Sequence, residues 1–302
     1  MLKKAFLVGI NDYTDAPLRG CVNDIMDMQA ALRDLYDFKA ENLRVLTDKE
    51  ATTQALVDGL NWLAEGGVEP AVRVFHYAGH GHFVPDKSGD EPDGADEALV
   101  PYDCAKKGYL IDDHLKTLYE RFPKNGNLTI IMDCCHSGSN QRGEDDEREI
   151  INRFLPMTYE ERKAIAAARR QFHADQRAFI TQELQGLKSA TRGPDPQFEQ
   201  RLNDALKKFE KQRFGDVSVR EGNVLLAACQ SDQTAADAKF DKTFHGAFTH
   251  TLVRILRESQ GRISYYDLIE QTGEELKALK FQQIPQLECE DEKKGADVLA
   301  LF

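Results

Sequence analysis

The sequence predicts an α/β protein built on a mostly parallel β-sheet with helices on both faces. Three observations support this fold class. Short apolar runs alternate with amphipathic helical runs along the chain, which is the pattern of β–α–β units. The strand-like runs are apolar almost throughout, as expected for strands that are covered on both sides. Hydrophobic residues make up 41% of the 302 residues, which is enough for a large core.

The elements follow one another in a regular order. The predicted strands are residues 3–10, 42–48, 71–79, 128–133 and 223–230. The predicted helices are residues 22–36, 53–66, 111–122, 247–259 and 265–279. The first helix is apolar at positions 25, 28, 32 and 35, which lie on one helical face. Thr52 or Thr53 is placed to cap the second helix.

Residues 142–220 interrupt this alternation. The sequence predicts no strand there, and a long part of the segment is polar and helical in character. The segment is slightly basic, whereas the rest of the chain is strongly acidic. We therefore expect a helical insertion between residues 1–141 and residues 221–302, which together form one sheet. One interpretation is a solvated helical hairpin, and the other is a regulatory element.

Charge and composition exclude several classes of protein. A formal net charge of −12 argues against a nucleic-acid partner, which requires a basic face, and suits recognition of basic groups. No apolar run is long enough to span a membrane, and the N-terminal run is too short for a signal peptide. The six cysteines form no dense framework, so reduced thiols are expected. These features predict a cytoplasmic protein.

Two polar clusters follow predicted strands, FHYAGHG at 75–81 and IMDCCHSG at 131–138. The carboxyl ends of parallel strands meet at one edge of a sheet, so the clusters should lie together. His76 lies within its strand and is expected to be packed, whereas His80 is flanked by two glycines. Cys134 is nearer the strand and Cys135 is in the loop. A loop thiol beside an imidazole is the arrangement for nucleophilic catalysis.

The same pattern leaves alternatives open. The backbone amides of Ser137 and Gly138 are candidate donors to a developing oxyanion. A zinc-dependent hydrolase would instead use histidine and cysteine ligands. The candidate ligands are His76, His80, His82, Cys134, Cys135 and His136, although the chain contains no CxxC motif. The last alternative is a purely structural role, because buried free cysteines are common and inert.

HYAGHG followed by DCCHSG resembles the metacaspase branch of the caspase-like cysteine peptidases, in its prokaryotic form. The histidine and cysteine are 55 positions apart, close to the spacing in caspases. Further segments resemble the family in the same order, at 18–25, 93–103, 108–115, 228–237 and 246–252. The resemblance implies a caspase-like fold and a cysteine endopeptidase. Residues 1–141 would correspond to the large subunit, 142–220 to the linker and 221–302 to the small subunit.

The resemblance assigns roles to individual residues. It makes His80 the general base and Cys135 the nucleophile, and it places Cys21, Asp24 and Asp133 in the pocket for the residue before the cut. Two carboxylates in that pocket suit Lys or Arg, whose charged groups need paired acceptors when desolvated. Where the family commonly has a serine two residues before the histidine, this chain has Ala78.

The resemblance also implies calcium as an activator, while the chemistry itself needs no cofactor. Asp96, Asp112 and Asp113 match three family ligands, and carboxylate oxygens are what Ca²⁺ requires. The direct match to the fourth ligand is Arg142, with Glu144 or Asp145 as substitutes. The alternative is that Asp112 and Asp113 only cap the following helix.

The insertion offers candidate cleavage sites for activation, at Arg148, Arg153, Lys188 and Arg192. The cutting agent is either the chain itself or another protease. The expected partners are protein or peptide substrates with a basic residue before the cut, with no nucleic acid and no membrane, and the chain is expected to be a monomer. The alternative from another class is a catalytically silent caspase-like scaffold, which would be expected to lack His80 or Cys135.

Overall fold

A computed structural model describes most of the chain. The described residues are 1–66, 71–89, 91–123, 126–135, 149–185, 198–214, 223–230 and 233–301. The strands are β1 (Leu2–Gly9), β2 (Leu43–Thr47), β3 (Ala71–Ala78), β4 (Gly81–Pro85), β5 (Ala95–Leu99), β6 (Leu110–Ile111), β7 (Asn127–Asp133), β8 (Ile150–Asn152), β9 (Asn223–Ala227), β10 (Ala236–Phe240), β11 (Thr243–Gly246) and β12 (Gln286–Glu288). The helices are α1 (Cys21–Tyr36), α2 (Thr53–Ala64), α3 (Cys104–Lys107), α4 (Asp112–Tyr119), α5 (Tyr159–Gln185), α6 (Phe198–Phe214), α7 (Ala247–Glu258), α8 (Tyr265–Ala278) and α9 (Asp291–Lys294).

The central sheet has six strands in the order β12-β9-β7-β3-β1-β2. All neighbouring pairs are parallel except β12 and β9 at one edge. The strands and helices predicted from the sequence are present, with ends shifted by a few residues at most. The prediction of a mostly parallel sheet is therefore confirmed.

Helices cover both faces of the sheet. Phe6 of β1 lies against Gly59 of α2, whereas Gly9 of the same strand lies against Cys21 of α1. Side chains alternate between the two faces along a strand, so positions 6 and 9 point in opposite directions. The two helices consequently lie on opposite faces, and α7 packs beside α1. This arrangement holds the start of α1 against the carboxyl end of β1.

Two three-stranded sheets accompany the central one, in the orders β11-β10-β8 and β4-β5-β6. The prediction that residues 142–220 contain no strand is wrong, because β8 lies within this range. β8 pairs antiparallel with β10, with Ala238 opposite Ile150 and Ala236 opposite Asn152. Three residues are too few to show a strand period in sequence, and β8 is a strand only because β10 provides its partner.

The chain forms two compact units. One comprises residues 1–82, 97–156 and 219–302, and the other comprises residues 83–96 and 157–218. In the second unit, α5 and α6 pack together through the aromatic rings of Phe172, Phe179 and Phe209. The predicted division of the chain at residues 141 and 220 stays a prediction. None of the described helices combines the length and apolar composition that crossing a bilayer requires.

We expect Gly9→Ala to destabilise the fold and displace α1. A Cβ at this position would lie 2.6 Å from the backbone oxygen of Cys21 and 2.7 Å from Ile25, and overpacking of this kind costs about 1–3 kcal/mol. Urea unfolding measures the loss. Gly295→Ala is the matched control, because nothing lies within 4 Å of its added Cβ. Equal unfolding midpoints for the two variants would show that α1 does not depend on this close approach.

Candidate active site

The carboxyl ends of three adjacent strands are aligned. In the sheet register, Gly9 of β1 is opposite Ala78 of β3, and Ala78 is opposite Asp133 of β7. His80 follows β3 by two residues, and Cys135 follows β7 by two residues. The structure therefore brings the two sequence clusters to one edge of the sheet, as predicted.

Two tyrosines hold the His80 backbone. The His80 N–H donates to the Tyr13 hydroxyl at 3.1 Å, and the Tyr77 hydroxyl donates to the His80 carbonyl at 2.9 Å. The Tyr13 ring lies 4.6 Å from the imidazole, centroid to centroid. All three side chains are buried, so these contacts fix the position of the ring.

The imidazole of His80 has a defined tautomer. Its Nε2 lies 2.6 Å from the carbonyl oxygen of Ala16, and because a carbonyl only accepts, Nε2 must carry the proton. Nδ1 is then left with a lone pair, and this atom is buried without a hydrogen-bond partner among the described residues. Burial lowers the pKa of His80 to about 4, although its contacts with the backbone of Ala16 and Arg153 oppose this shift. The ring is therefore a neutral base at physiological pH.

The Cys135 thiol is fully buried beside Ala235. Its Sγ accepts the Ala235 N–H and lies 3.5 Å from the Ala235 carbonyl oxygen. Burial, together with the neighbouring Cys229, raises the pKa of Cys135 well above its usual value. The thiol is therefore protonated in this state, and a protonated thiol is a poor nucleophile.

Arg153 lies among three carboxylates. Its Nη2 is 2.5 Å from Asp24 Oδ2, its Nη1 is 3.2 Å from Asp133 Oδ2, and its Nη2 is 3.9 Å from Asp237 Oδ1. All four side chains are fully buried. The carboxylates come from α1, β7 and β10, so a single guanidinium connects three elements of the fold. Buried charges of this kind are retained only when they are paired.

The three carboxylates differ in their protonation. Burial alone would raise the pKa of Asp24, but Arg153, His245 and the Gly246 amide together lower it below its usual value. Burial raises the pKa of Asp133 to about 6 despite the opposing effect of Arg153, and it also raises the pKa of Asp237. Asp24 is thus the carboxyl group of the three whose ionised form these contacts favour.

The Arg153 backbone is held as firmly as its side chain. The amides of Gly81 and Cys135 donate to the Arg153 carbonyl oxygen at 3.0 and 3.1 Å, and the Arg153 N–H donates to the Ala235 carbonyl at 3.0 Å. Two backbone amides that converge on one carbonyl oxygen, beside a thiol, are the arrangement that an oxyanion hole requires.

The chain continues past this point in contact with the loop after His80. The Leu155 N–H donates to the Gly81 carbonyl at 2.9 Å, and the Leu155 carbonyl lies 2.9 Å from His82 Nδ1. Phe154 is bridged to Gly81, and its ring lies 6.2 Å from the His82 ring. Residues 150–155 therefore cross the site, first as β8 and then, after a bend at Arg153, through the bridge between Phe154 and Gly81.

The remaining predicted residues lie in different places. Cys21 begins α1 and is fully buried beside the carboxylates, with its N–H bonded to Asn11 Oδ1 at 2.8 Å. His76 is packed and lies 3.2 Å from the Thr249 hydroxyl. Several candidate positions lie outside the described residues, namely His136, Ser137, Gly138, Arg142, Glu144, Asp145, Arg148, Lys188 and Arg192.

The predicted calcium residues fall on two elements. Asp112 and Asp113 form the first turn of α4, and Asp96 lies on β5 in the second unit. The Asp112 Oδ1 atom is buried without a hydrogen-bond partner in the described part of the chain. Burial, together with the charges of Asp113 and Glu97, raises the pKa of Asp112 to about 6, although hydrogen bonds from the backbone of Asp113 and Asp112 oppose this shift. A buried carboxylate oxygen without a donor, with other carboxylates near it, fits the ligand chemistry of Ca²⁺.

A zinc site at the two clusters receives no support from the described residues. Within them, one group of three or more histidine, cysteine or acidic residues has ligand atoms close enough for a metal ion, namely Asp27, His245 and His250. This group contains none of the candidate zinc ligands. His245 Nδ1 lies 3.5 Å from Asp24 Oδ1, so the group is next to one of the carboxylates that contact Arg153.

A family model for the metacaspase peptidase C14 domain matches residues 3–142. Metacaspase-6 of Arabidopsis thaliana is 30% identical, over 96% of this chain and 98% of that protein. Metacaspase-1 of Schizosaccharomyces pombe is 29% identical, over 95% of this chain and 67% of that protein.

The chain belongs to the metacaspase family. It is accordingly a caspase-like, cysteine-type endopeptidase, and the predicted family is confirmed. Protein GSU0716 from Geobacter sulfurreducens superimposes with a TM-score of 0.61 at 21% identity, over 100% of this chain and 99% of the other. Caspase-1 from Spodoptera frugiperda superimposes with a TM-score of 0.51 at 11% identity, over 95% and 85%. These two likenesses confirm the caspase-like fold.

Sequence reasoning missed four features of this metacaspase site. They are the Gly81 amide, the Ala16 carbonyl, the Asp237 carboxylate and the placement of Arg153. The glycine directly after His80 is a sequence signal for a backbone amide that can approach the site closely. Asp237 ends a segment that resembles the family, yet the sequence has no local feature that pairs it with Asp24 across more than two hundred residues.

We expect Arg153→Met to destabilise this metacaspase in a pH-dependent way. In the parent protein the pKa of Asp24 is lowered, so Asp24 stabilises the fold at pH values above its pKa in the unfolded state. This contribution is lost as the pH falls through the lowered pKa. Without Arg153, burial raises the pKa of the carboxylates, so their contribution is greatest at low pH and is lost as pH rises. The deficit should be about 3–5 kcal/mol at about pH 7 and smaller at about pH 5.

Urea unfolding in a Cys135→Ala background measures this deficit at both pH values. The control is Arg257→Met, which removes an exposed pair with Asp34 and should cost at most about 1 kcal/mol. A deficit of equal size at both pH values would mean that the carboxylates do not depend on Arg153 for their charge.

Proposed function

We propose that this chain is a cysteine endopeptidase that cuts proteins after arginine or lysine, with Cys135 as nucleophile and His80 as general base. One observation carries the proposal. The Arg153 guanidinium forms ion pairs with Asp24 and Asp133. Its carbonyl oxygen accepts hydrogen bonds from the Gly81 and Cys135 amides. A substrate residue requires both sets of contacts when its carbonyl carbon is attacked.

The chemistry follows from the atoms at the site. Nδ1 of His80 accepts the Sγ proton, and the thiolate of Cys135 attacks the carbonyl carbon of the residue in the pocket. The Gly81 and Cys135 amides stabilise the resulting oxyanion. The imidazolium then gives its proton to the leaving amine as the C–N bond breaks. Water hydrolyses the remaining thioester, which releases the new carboxyl group and restores the thiol.

The carboxylates determine the specificity in this proposal. A desolvated guanidinium or ammonium is stabilised by several charged acceptors, whereas an acidic side chain would meet like charge. Arginine is favoured over lysine, because its planar fork bonds to two carboxylates at once, as the 2.5 and 3.2 Å contacts of Arg153 illustrate. A silent scaffold would be expected to lack one of the two reactive residues, and this chain has both.

Fluorogenic peptides that differ only at the residue before the cut test the proposal. Cleavage should require Arg or Lys, and it should be abolished by Cys135→Ala or His80→Ala. Asp24→Asn should weaken Arg recognition by about 2–5 kcal/mol, since the bound cation loses a partner. Cys104→Ala is the matched thiol control, because Cys104 lies at the start of α3 and is only partly buried. Strong activity in Cys135→Ala, or equal cleavage after Asp and Arg, would overturn the proposal.

We further propose that this state is latent and that cutting the Arg153–Phe154 bond activates it. Residues 150–155 cross the site where a substrate would bind, and the pKa of Cys135 is raised by burial. Of the candidate cleavage residues, Arg153 alone is among the described ones, and its guanidinium contacts the carboxylates of the proposed pocket. The bond is cut either by the chain itself or by an activating protease that reaches it when the strand opens.

We expect mass spectrometry of active protein to find a new N-terminus at Phe154. The cut should be absent from Cys135→Ala unless a protease is added, and absent from Arg153→Gln because the pocket then lacks its cation. Arg162→Gln, an exposed change on α5, should be cut like the wild type. If uncut wild-type chain already cleaves peptides at the full rate, the segment is not a switch.

Calcium is proposed as an activator held by Asp112 and Asp113, while Asp96 stays the third ligand that the family resemblance implies. The unpartnered Oδ1 of Asp112 supports this proposal. The ion would order the backbone around these residues and would take no part in the bond-breaking steps.

Chelation should therefore lower peptide cleavage reversibly, and Asp112→Asn combined with Asp113→Asn should remove the response to added Ca²⁺. The matched control is Asp267→Asn, which changes an exposed carboxylate at the start of α8. Full activity in excess chelator would show that this chain does not use the ion.

A further inference from the structure

We propose that the cleft selects two side chains besides the arginine: an apolar residue three positions before it and an aromatic residue directly after it. The substrate class is then an extended segment of the form apolar-x-x-Arg-aromatic. This inference rests on the proposed function, because it takes residues 150–155 as a copy of the substrate.

Backbone contacts hold residues 150–155 on both sides of the cut. Before the arginine, Ile150 and Asn152 pair with Ala238 and Ala236 of β10. After it, Leu155 bonds to the carbonyl of Gly81 at 2.9 Å. Main-chain pairing of this kind binds any extended segment, while pockets for individual side chains provide the selectivity. The side-chain contacts of the strand therefore show which positions are read.

Ile150 packs against an apolar cluster of the enzyme. It contacts a group of buried residues that comprises Ala236, Ala238, Ala247, Leu276 and Phe281, with Phe240 at its margin. Ile150 and Ala238 are opposite each other in the register, and directly opposite side chains lie on the same face of an antiparallel pair. The cluster thus forms a subsite for the residue three positions before the arginine.

Ile151 serves as an internal comparison. It is opposite Asp237 in the register and, by strand alternation, it lies on the other face from Ile150. Glu149, one residue further upstream, pairs with Arg19 at 2.5 Å, but about half of each side chain is exposed. Exposed ion pairs contribute little, so position 149 is not expected to be selective. Ile151 is not among the residues that pack against the apolar cluster, so it is expected to be less selective than Ile150.

Phe154 lies beside His82 on the other side of the cut. Phe154 is 8% exposed, and its ring is 6.2 Å from the His82 ring at an interplanar angle of 30°. The His82 ring in turn lies 4.4 Å from Tyr109 and is fixed through Nδ1 to the Leu155 carbonyl at 2.9 Å. An aromatic side chain suits this place, because stacked rings add to the free energy of burial.

The test uses activated full-length enzyme and synthetic peptides based on residues 149–156, with sequence EIINRFLP. The parent is compared with peptides in which Ile150, Ile151, Phe154 or Leu155 is replaced by Ala. Replacement of Ile150 or Phe154 should each lower kcat/KM by roughly 10- to 100-fold. Replacement of Ile151 should change it less than about threefold, and Leu155, which bonds through its backbone, should behave like Ile151.

Enzyme variants locate each preference. The Phe240→Ala enzyme should show a smaller ratio of the cleavage rate of the parent peptide to that of the Ile150→Ala peptide. The Tyr109→Ala enzyme should show a smaller ratio of the rate of the parent peptide to that of the Phe154→Ala peptide. Each ratio is measured within one variant, so a general loss of activity does not affect it. If either enzyme variant changed both ratios to the same extent, the two subsites would not be separate, which would contradict the proposal.

Two negative outcomes are distinguishable. If all these peptides are cut at one rate while an Arg-to-Ala peptide is not cut, the arginine pocket stands and the extended preference is overturned. A preference at only one of the two positions overturns the subsite at the other. If no arginine peptide is cut by the activated enzyme, the proposed function itself fails.

Discussion

The buried guanidinium of Arg153 is the interaction on which the rest of this site depends. Asp24, Asp133 and Asp237 come from a helix and from two different sheets, and all are fully buried. Burying an ionised carboxylate costs several kcal/mol, and three together would be strongly unfavourable without a cation. Arg153 supplies that cation, so the helix, the central sheet and the β8–β10 pair are stabilised in one arrangement. A neutral residue at 153 would leave the charges unpaired, unless they took up protons.

Burial determines the protonation of the neighbouring reactive groups. With residues 150–155 in place, burial raises the pKa of Cys135 and lowers that of His80. Both groups are therefore neutral, and the thiol keeps its proton. An ion pair between thiolate and imidazolium requires a polar environment. The covering strand thus stabilises the fold and, in the proposed function, keeps the nucleophile unreactive.

A tethered strand also has an advantage over any free substrate. It is part of the same chain, so its effective concentration at the pocket is on the order of millimolar, and it uses the pocket contacts of the proposed substrate. A pocket with higher affinity for arginine would bind substrates better, but it would also bind Arg153 of residues 150–155 more tightly. Cutting the chain after Arg153 separates these effects, because the new terminus can dissociate while the sheet stays joined by its hydrogen bonds.

The sequence by itself determined the fold class, the family and the meeting of the two motifs. Apolar runs mark the strands, and the ends of parallel strands meet at one edge, so His80 and Cys135 could be placed together from local pattern alone. The resemblance to the family pointed to Cys21 and Asp24 as candidate pocket residues, which composition does not reveal.

Tertiary structure alone decided which cation contacts these carboxylates. Arg153 was one of four basic candidates in a polar segment, and no local feature distinguished it from the others. Arg153 directly follows β8, a strand of three residues that forms by pairing with one edge of β10. This pairing determines where Arg153 lies. Asp237 joins Asp24 and Asp133 for the same reason, since β10 brings it there. Long-range pairing of short strands leaves no periodic signal in sequence, because its free energy comes from the partner and not from the segment.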